Sequence, residues 1–251
     1  MLFTFNKNVF VEACKNGNLD LIRELRGWQP TIDISADDEW AFRVACQNGH
    51  LDIIKQLHEW KPTIDISTLD EWAFIAACQN GHLHIIRQLY EWKPTIRISS
   101  CNEAAFRYAC EKGHLDIIHQ LYKWKSDINI SVLDEYAFRL ACRNGHFHVV
   151  RQLYEWRPTI DISLYNELAF FESCQKGHID IVRQLYEWKP TINISTDNAS
   201  ALKMACVNGH LEVVKQLIDW KIDVDINQII KAFVLPAHIK EYLISISGVR
   251  N

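Results

Sequence analysis

No apolar stretch in this 251-residue sequence approaches the roughly 20 residues that a membrane-spanning helix needs, so a helical span is excluded. The opening residues, MLFTFNKNVFVEACKNGN, lack the basic n-region and long apolar h-region of a secretion signal. The expectation is a protein of the cytoplasm that is not secreted. Charge of one sign is also scarce. A formal net charge of -4 gives no general pull toward nucleic acid or anionic lipid. There is no glycine-rich phosphate loop, no closely spaced pair of metal ligands and no isolated nucleophile–base constellation. The chain is therefore expected to be no enzyme and to need no cofactor or metal. Hydrophobic residues at 48% and charged residues at 23% give an ordinary globular balance.

What is present is a register. Cys14, Cys46, Cys78, Cys110, Cys142, Cys174 and Cys206 are spaced by 32, and so are Trp28, Trp60, Trp92, Trp124, Trp156, Trp188 and Trp220. Two residue types in one register, without an insertion, mean a tandem array whose units bury their apolar faces against their neighbours. Seven units fill residues 4–227. The cysteines are expected to be reduced core residues. Equivalent helices in a stack lie about 8–10 Å apart, and a disulfide needs Cα atoms within about 7 Å. Cys101 alone is off register, as an exposed thiol would be.

Residues 36–67 show the unit. Phe42, Ala45 and Cys46 share one face of a first helix. Either Ser35 or Asp38 can cap its start. Asn48-Gly49-His50 ends it, with Gly49 suited to a left-handed conformation. Leu51, Ile53, Ile54, Leu57 and Trp60 form the inward face of a second helix, and Pro62 stops it. Ile64-Asp65-Ile66 alternates as a short extended segment would.

Asn-Gly-His-Leu-Asp-Ile-Ile-Lys-Gln-Leu at 48–57 and Asn-Gly-His-Leu-Glu-Val-Val-Lys-Gln-Leu at 208–217 resemble the second half of an ankyrin repeat, and residues 221–227 resemble that family's connector. The resemblance recurs seven times and implies an all-α solenoid of helix–turn–helix repeats with short extended connectors. There are departures. The usual ankyrin period is about 33. Trp40-Ala41-Phe42-Arg43 replaces the usual Thr-Pro-Leu-His opening, and Lys61, Lys93 or Arg157 stands where a glycine is usual. Tyr-Glu-Trp-Lys-Pro-Thr-Ile-Asn-Ile-Ser at 186–195 looks like the ankyrin families of amoeba-infecting giant DNA viruses. That likeness implies action in a host cytoplasm.

Residues 1–227 read as the array, with the first unit as an N-terminal cap because Asn18 replaces the recurring histidine. Residues 228–251 read as C-terminal capping helices, over Gln228–Phe233 and Pro236–Ile246, with the register lost after Asn227. Val234-Leu235-Pro236-Ala237-His238-Ile239 also resembles the opening of an F-box, which would make the chain a substrate adaptor for a ubiquitin ligase.

The recurring histidines (His50, His82, His114, His146, His178, His210) occur once per unit and give no chelating pair; the resemblance implies a turn-stabilising role. The row Glu39, Glu71, Glu103, Glu135, Glu167 lies near the first-helix start, where the dipole favours acid. The row Tyr90, Tyr122, Tyr154, Tyr186 is expected on the outer side of the second helix, covering the stack. The face of the first helix opposite the core varies: Trp40, Arg43, Trp72, Ile75, Arg107, Tyr108, Tyr136, Arg139, Arg143, Phe171 and Lys203. A drifting solvent face would fill with Lys, Glu and Ser, whereas aromatics and arginine mark binding hot spots. For Trp40 and Trp72 the alternative is packing between repeats. In ankyrin proteins the first helices line the concave face, so these residues are expected to bind a protein partner there, from the host if the chain is viral. The arginines also suit a helical repeat that reads nucleic acid, which the negative net charge and the glutamate row disfavour.

Overall fold

The computed structural model describes residues 7–194, 196–220 and 224–248. The chain divides into two compact units, Met1–Asn129 and Ile130–Asn251. Among the described residues it is all-helical, with sixteen helices and no strand. The first unit holds first helices α1 (Lys7–Lys15), α3 (Ala36–Gln47), α5 (Thr68–Gln79) and α7 (Ser100–Lys112). Their second helices are α2 (Leu19–Trp28), α4 (Leu51–Trp60), α6 (Leu83–Trp92) and α8 (Leu115–Trp124). The second unit holds α9 (Val132–Arg143) to α14 (Leu211–Asp219) in the same alternation, then α15 (Ile226–Ala232) and α16 (Ala237–Ser247). Within each unit first helices pack on first helices, and each packs on its own second helix.

The core follows the repeat. Phe42, Phe74, Phe106 and Phe138 are fully buried, as are Ile54, Leu57 and their equivalents. Burying each such side chain contributes about 1.5–3 kcal/mol. All seven periodic cysteines are buried and free, and Cys101 is exposed. Gly49 is left-handed, with φ 81°. The connectors are turns rather than extended segments. Ile64 and Ile66 nonetheless alternate inward as expected, with Asp65 outward. The start of the first unit and residues 221–223 of the last connector lie outside the described residues.

The start of the first helix differs from the sequence reading. Ser35 makes no side-chain cap bond, and Asp38 is not a cap. Instead Asp37, Asp38 and Glu39 form a left-handed turn, with φ of 55°, 55° and 61°. Leu69–Glu71, Cys101–Glu103, Leu133–Glu135 and Tyr165–Glu167 repeat it. L-residues in this conformation cost roughly 1–2 kcal/mol each, so tertiary contacts must hold the turn. One contact is the glutamate itself. Glu39, Glu71, Glu103 and Glu135 are buried rather than dressing an exposed helix end. The Glu39, Glu71, Glu103 and Glu167 Oε1 atoms accept the backbone N–H of Asp65, Arg97, Asn129 and Asn193, each 26 residues on, at 3.2–3.4 Å. The left-handed turn carries each carboxylate inward to pin its connector.

Two further links join neighbouring repeats. The His50, His82, His114, His178 and His210 Nε2–H groups donate to the carbonyls of Lys15, Gln47, Gln79, Arg143 and Gln175 at 2.8–3.0 Å. These bonds give the recurring histidine its turn-stabilising role. Trp60, expected to point inward, is half-buried, as are Trp92, Trp124 and Trp188, which stack on the preceding second helix, whereas Trp28 is exposed. His58 meets Trp92 at 4.1 Å, Tyr90 meets Trp124 at 4.1 Å, and Tyr154 meets Trp188 at 3.9 Å. The tyrosine row thus covers the stack by ring pairing, each pair contributing about 0.5–1.5 kcal/mol beyond its area.

Past Asn227 the 32-residue spacing is not kept: the carbonyl that His238 bonds lies 29 residues back, against 35 for the other histidines. His238, expected to be off register, donates to the Gly209 carbonyl at 3.0 Å, and Ile239 and Leu243 of α16 are fully buried. Asp225 caps α15 by accepting from Asn227 and Gln228 N–H. Helix α16 thus takes a second-helix place after a shortened first helix.

Candidate partner-binding site

In the first unit, the outer side of the first helices carries Trp40, 36% exposed, and Trp72, half-buried, with ring centroids 6.1 Å apart. Arg43 lies against both, its Cζ 4.9 Å and 5.2 Å from their centroids. It does not belong to a solvent row, being only 7% exposed. Its Nε donates to the Asp38 carbonyl at 2.7 Å and its Nη2 to that of Asp37 at 3.0 Å. Arg107 repeats this, donating to Asn102 and Cys101 at 2.7 and 3.0 Å. Both arginines correct the expectation of an exposed basic ladder. A left-handed turn directs its carbonyls toward the next helical turn, where a guanidinium fork can take two at once. Burial lowers the Arg43 pKa, opposed by Asp38 and Asp37. The Trp40 and Trp72 rings are packed between repeats and partly open to solvent together.

Ile75 stands where the arginine would be, and there the surface opens into a groove of about 340 Å³. Leu69, Trp72, Ile75, Gln79, Ala104 and Tyr108 line it, with Cys101 at its edge.

In the second unit, Arg139 is half-buried and donates to the Asp134 carbonyl at 3.0 Å. Its Cζ lies 5.7 Å from the Tyr136 ring and 4.9 Å from the Tyr165 ring. The Tyr165 hydroxyl donates to Asp134 Oδ2 at 2.6 Å, which raises the Tyr165 pKa. Arg143 is exposed and pairs with Glu172 at 3.7 Å. Phe171 is half-buried and lines a cavity of about 240 Å³ with Tyr165, Leu168 and Ile194. Lys203 is half-buried.

The sequence reading missed three residues of this side. Leu69, Leu133 and Tyr165 open the left-handed turns and are 54%, 48% and 57% exposed. The available signal was an apolar residue at the position where the second repeat has Asp37.

Chemically, this side offers rings, aliphatic edges and backbone carbonyls. Among the described residues no group of three His, Cys, Asp or Glu could hold a metal ion, and no helix is long and apolar enough to cross a membrane.

The family described as Ankyrin repeats (3 copies) matches residues 42–134 and 138–228. No curated protein matches the chain in sequence. Among solved structures, the crystal structure of the human ASB11 ankyrin repeat domain is similar, with a TM-score of 0.61 and 16% identity over 83% of this chain and 96% of that one. With the helix pairs, the left-handed glycine turns and the histidine links in place, the chain belongs to the ankyrin-repeat family.

Proposed function

We propose that the chain is a non-enzymatic scaffold that binds a partner protein on the first-helix side of its repeats. The observation that carries this is where exposed apolar side chains collect. Trp40, Leu69, Leu133 and Tyr165 are half of the exposed large hydrophobic residues among the described ones; three open the left-handed turns of first helices and Trp40 follows such a turn. The outer side of the second helices carries hydrogen-bonded polar pairs instead: Arg23 with Gln56, Arg87 with Gln120, Arg183 with Gln216. Exposed apolar patches mark interaction surfaces on soluble proteins. In the first unit Trp72 and Tyr108 extend its surface and Arg43 and Arg107 hold it in shape from behind; in the second unit Tyr136 and Phe171 extend that unit's own surface, with Arg139 behind it. Because those arginines bond their own backbone, they offer little to phosphates, which weakens the nucleic-acid reading.

The likeness to giant-virus repeats would make the partner a host protein and the place of action the host cytoplasm. Residues 226–248 serve in this reading to close the stack, since α16 takes a second-helix place.

Affinity capture from a lysate of amoebal host cells tests the scaffold, with quantitative mass spectrometry of what is retained. Trp40→Ala with Tyr165→Ala is expected to lose proteins that the native chain and an Arg87→Ala, Arg183→Ala control both retain, with helicity unchanged. Equal retention by all three chains would overturn the surface. Deleting residues 234–248 tests the end: lowered stability supports a closing segment, whereas unchanged stability with loss of a single partner supports the adaptor.

A further inference from the structure

The turn Leu69–Glu71 has the same left-handed conformation as its neighbours, with φ of 52°, 55° and 68° against 55°, 55° and 61° at Asp37–Glu39 and 52°, 56° and 58° at Cys101–Glu103. In both neighbours a guanidinium supplied from four residues further along bonds the first two carbonyls of the turn. Ile75 stands at that position after Leu69–Glu71 and has no donor to give. The place is left as the groove lined by Leu69, Trp72, Ile75 and Tyr108. We propose that this groove takes an arginine side chain presented by the partner protein, a proposal that rests on the scaffold reading above and names the chemistry of its occupant.

Three features select arginine. The Leu69 and Asp70 carbonyls repeat an acceptor pair that the molecule itself fills with guanidinium on either side. A planar fork reaches two such acceptors at once, as an ammonium does not. The Trp72 and Tyr108 rings that line the groove each already take a guanidinium of the chain, Arg43 at 5.2 Å and Arg107 at 5.5 Å, which shows that these rings suit one. A weakly hydrated guanidinium gains most from such faces. The chain's net charge of -4 favours the approach of a cation.

The test is an NMR titration of the ¹⁵N-labelled chain with Nα-acetyl-arginine N-methylamide, beside the lysine and citrulline analogues. The arginine compound is expected to shift the Leu69 and Asp70 amides and the Trp72 indole N–H, and to bind at least about tenfold more tightly than the other two. Ile75→Arg should place the chain's own guanidinium in the groove, as its neighbours do, and abolish the shifts while the rest of the spectrum is kept. Equal response to citrulline, response surviving in Ile75→Arg, or no response in the native chain overturns the proposal. If the native chain does not respond but Trp40→Ala with Tyr165→Ala still loses captured proteins, the arginine site fails and the scaffold stands. If capture is unaffected by those replacements, the scaffold surface fails whatever the titration gives.

Discussion

Replacing Gly49 by alanine separates two physical costs that coincide in most of these turns. Gly49 and Gly209 share one backbone conformation, with φ of 81° and 79°. An alanine at either site carries the left-handed penalty of roughly 1–2 kcal/mol. The surroundings differ. A Cβ on Gly49 would lie 2.7 Å from both Cε1 and Nδ1 of His82, so the ring must move. A Cβ on Gly209 meets nothing closer than 3.4 Å, an ordinary contact. Moving the His82 ring stretches its 2.9 Å bond to the Gln47 carbonyl, worth about 0.5–1.5 kcal/mol. Gly49→Ala is therefore expected to cost about 1.5–3.5 kcal/mol, and Gly209→Ala about 1–2. Urea denaturation followed by circular dichroism measures both. Because an array can unfold in parts, amide exchange over residues 44–57 reads the same loss locally. The double replacement Gly49→Ala with His82→Ala removes the obstacle along with the bond, so it should cost about 0.5–1.5 kcal/mol less than the sum of the single ones. Equal losses at Gly49 and Gly209, together with an additive cycle, would refute the reasoning.

Burial holds the His82 pKa below its ordinary 6.5, with His84, His50 and His114 adding to the lowering and the Gln47 carbonyl opposing it. The unfolded chain then takes up the proton first. The melting temperature should hold above about pH 6.5, decline as pH falls toward the lowered folded value, and fall less steeply in His82→Gln; superimposable curves would remove His82 as the cause. Glu71→Ala leaves the Arg97 N–H without its 3.2 Å acceptor and should cost about 1–3 kcal/mol. Glu71→Gln keeps an acceptor and should cost clearly less, and thermal unfolding that ranks the two the other way contradicts the pinning role. Burial pushes the Cys14 and Cys206 thiols up to about 12 and the other periodic cysteines well above their usual range. Titration with a chromogenic disulfide should thus find the Cys101 thiol in the native protein and the remaining seven only after denaturation.

The core was legible because it is written in contacts that recur at fixed spacing. Phe42, Cys46 and Leu57 obey helical periodicity, and Gly49 sits where only a left-handed residue ends the helix. The left-handed turn was not legible. Asp37-Asp38-Glu39 contains no glycine, and local preference alone reads those residues as a cap. What holds the turn is a carboxylate bonding an amide 26 residues away and a guanidinium folding back on it, neither of which local preference contains. The same omission misplaced Arg43 and Arg107. A helical wheel sends them to solvent, and it has no place for carbonyls that leave the helix path. Leu69, Leu133 and Tyr165 were hidden for the same reason, since the wheel treats a turn opening as ordinary helix. The place of His238 was masked by a shortened first helix, which moves it 28 residues from His210 rather than 32.

Every link within a unit spans about one repeat: a histidine to a carbonyl 35 residues back, a glutamate to an amide 26 ahead, a ring to a tryptophan 34 ahead. Chain length can therefore change only in whole steps. Excising residues 68–99 joins Ser67 to Ser100, sets His114 on the Gln47 carbonyl and Trp124 on His58, and restores each partnership with a new member. Excising one residue fewer puts the histidine and tryptophan links across the junction out of step, while the glutamate links, which lie wholly on one side of it, are kept. An array tied in this way grows and shrinks by complete repeats while its interior chemistry stays fixed, and so the turn-opening residues and the groove beside Ile75 can be reshuffled along it as independent cassettes.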